Sequence, residues 1–162
     1  MRGEAFEPTN LTQLVKHVAE TYELVAEERG NRFRASIHEG LILAGDASLL
    51  NQLFANLIEN AMKHASPHAS AMLHVWQERT AIVARIEGDG PGIPVEYRAD
   101  ALRRFGRLDK ARHTPGHGLG LRLAAAIAEL HNAKLSVADA KAGAARPGLA
   151  VTVCFALPEF GA

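Results

Sequence analysis

The sequence predicts an α+β sandwich, with three main helices on one face of a mixed β-sheet of about five strands. Long segments carry apolar residues at the helical period, and shorter segments alternate apolar with polar residues. No internal repeat and no domain linker interrupts the 162 residues. We therefore expect a single domain over residues 1–162, with the other face of the sheet solvated or covered by a partner.

A helix is predicted first, over residues 10–29, because its apolar residues fall on one stripe. Asn10 is a candidate N-cap with Gln13 in the capping-box position, and Gly30 would end the helix. Two short strands are expected next, near residues 32–37 and 41–43.

The middle of the chain predicts a second helix and two strands. The helix extends from about residue 47 to 65, with Asp46 as its candidate N-cap and Pro67 beyond its end. Two alternating strands follow near 70–76 and 80–87, and the second of them places on one face Ile82, Ala84 and Ile86.

The last part of the chain predicts two further helices and two strands. A short helix is expected around 95–104, an aperiodic loop over 105–117 and a long helix over 118–131. Asn132 is a plausible left-handed residue after that helix. The stripe expected to be buried consists of Leu119, Leu123, Ile127 and Leu130. The final strands are expected at 134–138 and 149–156.

Charge and composition narrow the function classes. The 18 basic and 18 acidic residues give no reason to expect nucleic acid or an anionic membrane as the main partner. The single cysteine, Cys154, lies in an apolar run that predicts a core position, and a reducing, cytoplasmic setting fits its lack of a partner. No apolar run approaches the roughly 20 residues of a membrane span, and residues 1–10 do not resemble a signal peptide. If the parent protein is anchored in an inner membrane, we expect the anchor to lie outside this chain.

The first constellation of polar residues lies on the second predicted helix. Asn56, Asn60, Lys63 and His64 share one helix face. A carboxamide oxygen there could ligate Mg²⁺, and a lysine one turn on could contact phosphates. An ordinary solvated helix face explains the same residues about as well.

Two glycine-rich segments form the second and third constellations. Residues 88–94 follow a strand and could let the backbone approach a ligand, although a tight turn has the same composition. Residues 116–121 lead into the long helix, whose N-terminus would present N–H groups to phosphate; a flexible hinge is the alternative. The chain contains no GK[ST] sequence, and the G-x-G-x-G spacing with no strand directly before it disfavours a dinucleotide fold.

Cations cluster between the two glycine segments. Arg104, Arg107, Lys110 and Arg112 lie close together in the sequence, beside Phe105. Such a cluster suits a polyphosphate ligand. The alternative is a run of solvent-exposed cations that binds no ligand.

The order of these segments resembles the catalytic ATP-binding domain of sensor histidine kinases, of the GHKL or Bergerat-fold family. That family includes type II topoisomerases, Hsp90 and mismatch-repair ATPases. Residues 46–65 resemble its N box, 88–94 its G1 box, 102–107 its F box and 116–121 its G2 box. The resemblance covers nearly the whole chain and implies the same two-layer fold.

The resemblance implies ATP and Mg²⁺ as ligands. Asn60 matches the Mg²⁺-ligating asparagine of the N box, Lys63 matches its phosphate-contacting lysine, and His64 takes the position against the adenine. Residues 105–117 would form the lid over ATP. The nucleotide-binding residues that the resemblance implies are Asn56, Asn60, Lys63, His64, Gly88, Asp89, Gly90, Gly92, Ile93, Arg107, Lys110, Gly116, His117, Gly118, Leu119 and Gly120.

Two departures from the family pattern stand out. Gly88 occupies the position of the G1 aspartate, which in the family accepts a hydrogen bond from the adenine amino group. Asp89 is one residue late, and in an extended segment its side chain would point the other way. Losing such a hydrogen bond corresponds to roughly 10- to 150-fold in affinity. In the F box, Leu102 and Gly106 stand where aromatic residues are usual.

Position 56 separates the subclasses of the family. The family's ATPases have a glutamate there as general base, whereas Asn56 cannot take a proton. Glu59 lies about 100° from Asn60 around the helix and is a poor substitute. The resemblance therefore implies phosphoryl transfer to a histidine on a separate helical dimerisation domain, with a response regulator downstream. It implies no catalytic residue within this chain.

Three interpretations remain open from the sequence. The first is the histidine-kinase catalytic domain, as a piece of a longer sensor kinase. The second is a degenerate domain that binds partners without using ATP, which Gly88 would favour unless that glycine was introduced deliberately. The third is a serine kinase of the anti-sigma type with the same fold.

Overall fold

The computed structural model describes residues 6–63, 70–89, 95–102, 119–145 and 147–157. Its helices are α1 (Leu11–Glu28), α2 (Ala47–Lys63), α3 (Val95–Leu102) and α4 (Leu119–Leu130). Its strands are β1 (Glu7–Asn10), β2 (Arg32–Ile37), β3 (Ile42–Gly45), β4 (Ser70–Gln77), β5 (Ala81–Gly88), β6 (Ala133–Asp139) and β7 (Leu149–Ala156). The predicted loop over 105–117 lies outside the described residues.

Five of the strands form one mixed sheet in the order β2-β4-β5-β7-β6. Strands β2 and β4 are parallel, and the other pairs are antiparallel. The predicted α+β sandwich is confirmed. One part of the prediction was wrong, because β3 does not join this sheet and instead pairs with β1, a strand that the sequence did not predict.

The core lies between the sheet and the helices. Ile82, Ala84 and Ile86 of β5 share the buried face, as the alternation predicts. Opposite them, α2 contributes a stripe of leucines that includes Leu53 and Leu57. Burying apolar side chains on this scale is what fixes the helices on the sheet.

Local signals set the helix ends. The Asn10 side chain accepts a hydrogen bond from the Gln13 N–H at 3.0 Å, and the Asp46 carboxylate accepts one from the Leu49 N–H at 2.9 Å. Gly30 has a φ of 75° just past the end of α1, and Asn132 has a φ of 56° after α4. These two caps and both stop positions agree with the predictions.

Two predicted core positions were wrong. Cys154 is exposed, because side chains alternate along β7 and its neighbours Val153 and Phe155 take the buried face. Leu123 is 41% exposed, because α4 turns a different stripe inward. That buried stripe consists of Leu121, Ala124, Ile127 and Ala128.

His131, directly after α4, links the C-terminal end of α4 to the N-terminal end of α2. Its ring Nδ1 lies 2.8 Å from the Ile127 carbonyl oxygen, and its Nε2 accepts a hydrogen bond from the Asp46 N–H at 3.1 Å. Phe6 stacks on the ring at a centroid distance of 4.6 Å. A Cβ atom on Gly45 would lie 2.9 Å from the ring, so only glycine fits there without a shift. The imidazole therefore fixes the spacing of the two helices that carry the candidate site.

Candidate nucleotide-binding site

The polar face of α2 is not solvated in the way an isolated amphipathic helix would be. Asn60 is buried, with only 6% of its surface exposed. Its Oδ1 atom and the Nδ2 atom of Asn56 are buried without a hydrogen-bond partner among the described residues. A buried polar atom left unpaired costs about 1–3 kcal/mol, so such atoms in a native fold usually mark a ligand, ion or water. The interpretation as an ordinary solvated face was wrong for Asn60.

These two asparagines line a pocket of about 400 Å³ between three helices. Helix α1 forms one wall, α2 the second, and Gly120 at the start of α4 the third. The lining residues are Thr21, Tyr22, Val25, Arg29, Asn56, Glu59, Asn60, Met62 and Gly120. The fold thus brings together parts of two segments that the sequence separates by some sixty residues.

The chemistry of this pocket suits a metal-bound phosphate. The Asn60 carbonyl oxygen is the kind of hard ligand that Mg²⁺ takes. The first turn of α4, where Gly120 lies, carries no acidic residue, so the positive end of the helix dipole is not neutralised from within the helix. The Asn60 oxygen and the N-terminus of α4 together favour a divalent cation that is shared with a polyphosphate.

Tyr22 and Glu59 form a hydrogen-bonded pair in the same pocket. The Tyr22 hydroxyl donates to the Glu59 Oε2 atom at 2.5 Å. Burial and this carboxylate together raise the pKa of Tyr22 to about 12, against an opposing effect of Arg29. The phenol is therefore neutral near pH 7 and available as a donor. No local sequence pattern indicates this pair, because its two residues are 37 positions apart.

Gly88 and Asp89 face different sides of the sheet. Gly88 is buried at the end of β5, and a Cβ atom on it would point at α2, 3.1 Å from the Ala61 carbonyl oxygen. The Asp89 carboxylate instead accepts hydrogen bonds from the Ser70 N–H and Oγ at 3.1–3.2 Å. Asp89 and the backbone of Gly88 also line a pocket with Arg34, separate from the one that contains Asn60. As expected from the one-residue offset, Asp89 does not place its carboxylate where a side chain on Gly88 would.

The remaining predicted site residues divide into two groups. Lys63 is the last described residue of α2 and Leu119 the first described residue of α4; the predicted end near 65 and the predicted start at 118 lie outside the described residues. The others lie outside the described residues: His64, Gly90, Gly92, Ile93, Arg107, Lys110, Gly116, His117 and Gly118. Among the residues that are described, no cluster of three or more His, Cys, Asp or Glu side chains could hold a metal. In the same part of the chain, no helix combines the length and apolarity needed to cross a membrane.

Comparison with known proteins gives a consistent match. Residues 45–159 match the family described as histidine kinase-, DNA gyrase B- and HSP90-like ATPase. The sensor protein kinase CarS of Pseudomonas aeruginosa is 37% identical over 122 residues, which are 75% of this chain and 26% of that protein. The sensor histidine kinase TmoS of Ectopseudomonas mendocina is 27% identical over 146 residues, 88% of this chain and 15% of that protein. The chain thus spans about a quarter or less of the length of these two relatives.

Solved structures agree with the sequence matches. The mycobacterial sensor histidine kinase MprB superposes with a TM-score of 0.79 at 26% identity, over 93% of this chain and 97% of that one. The catalytic domain of histidine kinase ThkA gives a TM-score of 0.78 at 21% identity, over 93% and 97%. Fold, family model and relatives therefore confirm the resemblance that the ordered segments indicated. The chain belongs to the histidine kinase-, DNA gyrase B- and HSP90-like ATPase family, as a domain of the sensor histidine kinase type.

Proposed function

We propose that this domain binds ATP with Mg²⁺ and supplies the γ-phosphoryl group for autophosphorylation of a histidine on a helical dimerisation domain of the same protein. The observation that carries the proposal is the buried, unpartnered Oδ1 atom of Asn60, in a pocket that also contains the first turn of α4. A Mg²⁺ ion bound by that oxygen would offset the cost of its desolvation.

The residues present fit this ligand pair. Asn60 would hold Mg²⁺, which neutralises charge on the phosphates when bound. Lys63 would contact the phosphates as a point charge, and the α4 N-terminus would donate backbone N–H groups. Phosphate contacts are also proposed for Arg107, Lys110, Gly116, His117, Gly118, Leu119 and Gly120. The adenine side is proposed to consist of His64, Gly88, Asp89, Gly90, Gly92 and Ile93, with Asp89 contributing through the backbone because its carboxylate is bound to Ser70.

Asn56 favours transfer over hydrolysis. A carboxamide cannot accept a proton from water, so this position offers no general base. Phosphoryl transfer would instead depend on position and on charge neutralisation around the nucleotide. The pocket contains only one described acid, Glu59, and that carboxylate is already hydrogen-bonded.

The wider setting follows from the relatives. We propose that residues 1–162 are one catalytic domain, that residues 105–117 act as its lid, and that it is a cytoplasmic part of a longer sensor kinase. The partners are then the dimerisation domain and a response regulator; a solved structure shows histidine kinase ThkA in complex with the response regulator TrrA. The balanced charge gives no reason to add nucleic acid or a membrane surface as a partner of this domain.

Gly88 supports a second candidate, a degenerate domain that binds partners without using ATP. No carboxylate of the described residues next to it replaces the missing side chain, because Asp89 faces the other way. Calorimetric titration with ATP, once with Mg²⁺ and once with EDTA, separates the two candidates. Magnesium-dependent binding supports the kinase function. No binding at millimolar nucleotide in a folded sample supports the degenerate domain.

A further inference from the structure

Glu59 lines the pocket at a position from which its carboxylate could accept a proton during ATP hydrolysis. It is three residues after Asn56, so the two are neighbours on the surface of α2. Asn56 occupies the position of the general base in the ATPases of the family. Its direction around the helix, about 100° from Asn60, made it a poor substitute for the base on sequence grounds. The structure nevertheless places Glu59 in the lining of the same pocket as Asn56 and Asn60, so its carboxylate is a proton-accepting group inside that pocket.

We propose that Tyr22 is a positioning residue that binds the Glu59 carboxylate to α1 and thereby suppresses ATP hydrolysis by this domain. The inference rests on the proposed ATP-binding function and assigns to it a residue on a helix outside the four nucleotide boxes. A kinase that waits for its histidine acceptor benefits from this arrangement, because hydrolysis would consume ATP without signalling.

The suppressed step is a simple displacement. A water oxygen would form a bond to the γ-phosphorus while one of its protons passes to the Glu59 carboxylate. The bond between the γ-phosphorus and the bridging oxygen would break, which leaves ADP and inorganic phosphate. The proton would then return from Glu59 to solvent.

Two features of the Tyr22 contact oppose this step. The hydroxyl donates its only proton to the Oε2 atom at 2.5 Å, so one of the two carboxylate oxygens is already occupied by a donor. The contact also joins α1 to α2, so it restricts the rotamers of a Glu59 side chain that is otherwise exposed. A hydrogen bond to a charged group shifts an equilibrium by about tenfold or more. The rotamers of Glu59 that do not contact Tyr22 are therefore populated about tenfold less than they would be without the hydroxyl.

The first test is ATP hydrolysis in four variants. Tyr22→Phe removes only the hydroxyl, and we expect a hydrolysis rate about tenfold or more above that of the unchanged chain. Tyr22→Phe combined with Glu59→Gln should return to the original rate, because the base is gone. Glu59→Gln alone should not exceed that rate. Tyr97→Phe is the matched control, since Tyr97 is exposed on α3 and does not line the pocket.

A second test does not depend on activity. The chain has two tyrosines, so in the Tyr97→Phe background the ultraviolet absorbance of phenolate reports Tyr22 alone. Its pKa should lie near 12 and fall when Glu59→Gln is added, because the carboxylate is one of the causes that raise it. An unchanged titration would show that the pair does not form in solution and would overturn the proposal.

Calorimetry with Mg²⁺ and ATP on the same variants separates the possible failures. If Tyr22→Phe binds ATP but hydrolyses it no faster, the inference about Tyr22 is wrong and ATP binding stands. A rise that persists in the double variant also overturns it, because the base is then not Glu59. If no variant binds ATP, the proposed function and this inference fail together.

Discussion

A Cβ atom on Gly88 would lie 3.1 Å from the carbonyl oxygen of Ala61, and Ala61 directly follows Asn60 on α2. A side chain at this position would therefore point at α2, which lines the candidate pocket. The resemblance to the family implies an adenine-binding aspartate here, where this chain has glycine. Any side chain there must move α2 by a few tenths of an ångström, because its neighbour is backbone.

Replacing Gly88 by aspartate should restore adenine recognition at some cost in stability. We expect Gly88→Asp to strengthen ATP binding by about tenfold. GTP should gain nothing, because guanine presents a carbonyl where adenine presents an amino group. Gly88→Ala is the control, since it carries the same steric cost without the carboxylate. Titration of both nucleotides on all three proteins checks this, and equal gains for ATP and GTP would refute the adenine assignment.

The domain alone should hydrolyse ATP negligibly. Asn56 supplies no base, and Glu59 is bound by Tyr22. We expect Asn56→Glu on its own to leave turnover far below that of the family's ATPases, because the water must also be positioned. A coupled assay of ADP release measures both proteins. Fast turnover by the unchanged chain would contradict the assignment of position 56.

Stability at high pH should depend on the Tyr22–Glu59 pair. The pKa of Tyr22 is raised in the folded state from 10 to about 12, so the folded protein holds this proton more tightly than the unfolded chain does. The stabilising contribution is complete below about pH 10 and is lost as the pH rises toward 12. Urea unfolding at pH 9, 10 and 11 should show a steeper decline than in Glu59→Gln. Parallel declines would mean that the pair contributes nothing measurable.

The buried stripe of α4 predicts different effects on the free energy of unfolding for two leucine substitutions in the same helix. Leu121 is fully buried, whereas Leu123 is 41% exposed. Leu121→Ala should lower the free energy of unfolding by about 2–5 kcal/mol, and Leu123→Ala should change it by about 0.5 kcal/mol or less. Urea denaturation of the two variants checks the register of the helix. The opposite ranking would favour the stripe that the sequence predicted.

Local signals made the fold predictable, and long-range contacts account for what was missed. Asn10 and Asp46 bond to N–H groups three residues away, so their capping roles are visible in a short window of sequence. The pairing of β1 with β3 joins residues more than thirty positions apart and leaves no periodic trace. For Cys154 and Leu123, apolar character indicated burial, and the strand and helix register decided otherwise.

The same limit applies to the candidate site. The order of the four boxes indicates the family, and that indication was confirmed. Periodicity alone could not show that Asn60 is buried, because its cover comes from elements distant in sequence. It also could not show that Tyr22 reaches across to Glu59. The nucleotide contacts of the individual residues remain predictions.

The most direct test of the central claim is the magnesium-dependent ATP affinity of Asn60→Ala beside that of Asn31→Ala. Both asparagines bury an Oδ1 atom without a partner among the described residues, but Asn31 lines a different groove, beside Glu27 and Phe33. If Asn60 holds the metal, Asn60→Ala should raise the Kd for ATP in the presence of Mg²⁺ by about tenfold or more and abolish the difference between Mg²⁺ and EDTA. Asn31→Ala should leave both values unchanged. Equal effects of the two substitutions, or an Asn60→Ala protein that retains full magnesium-dependent affinity, would contradict the account.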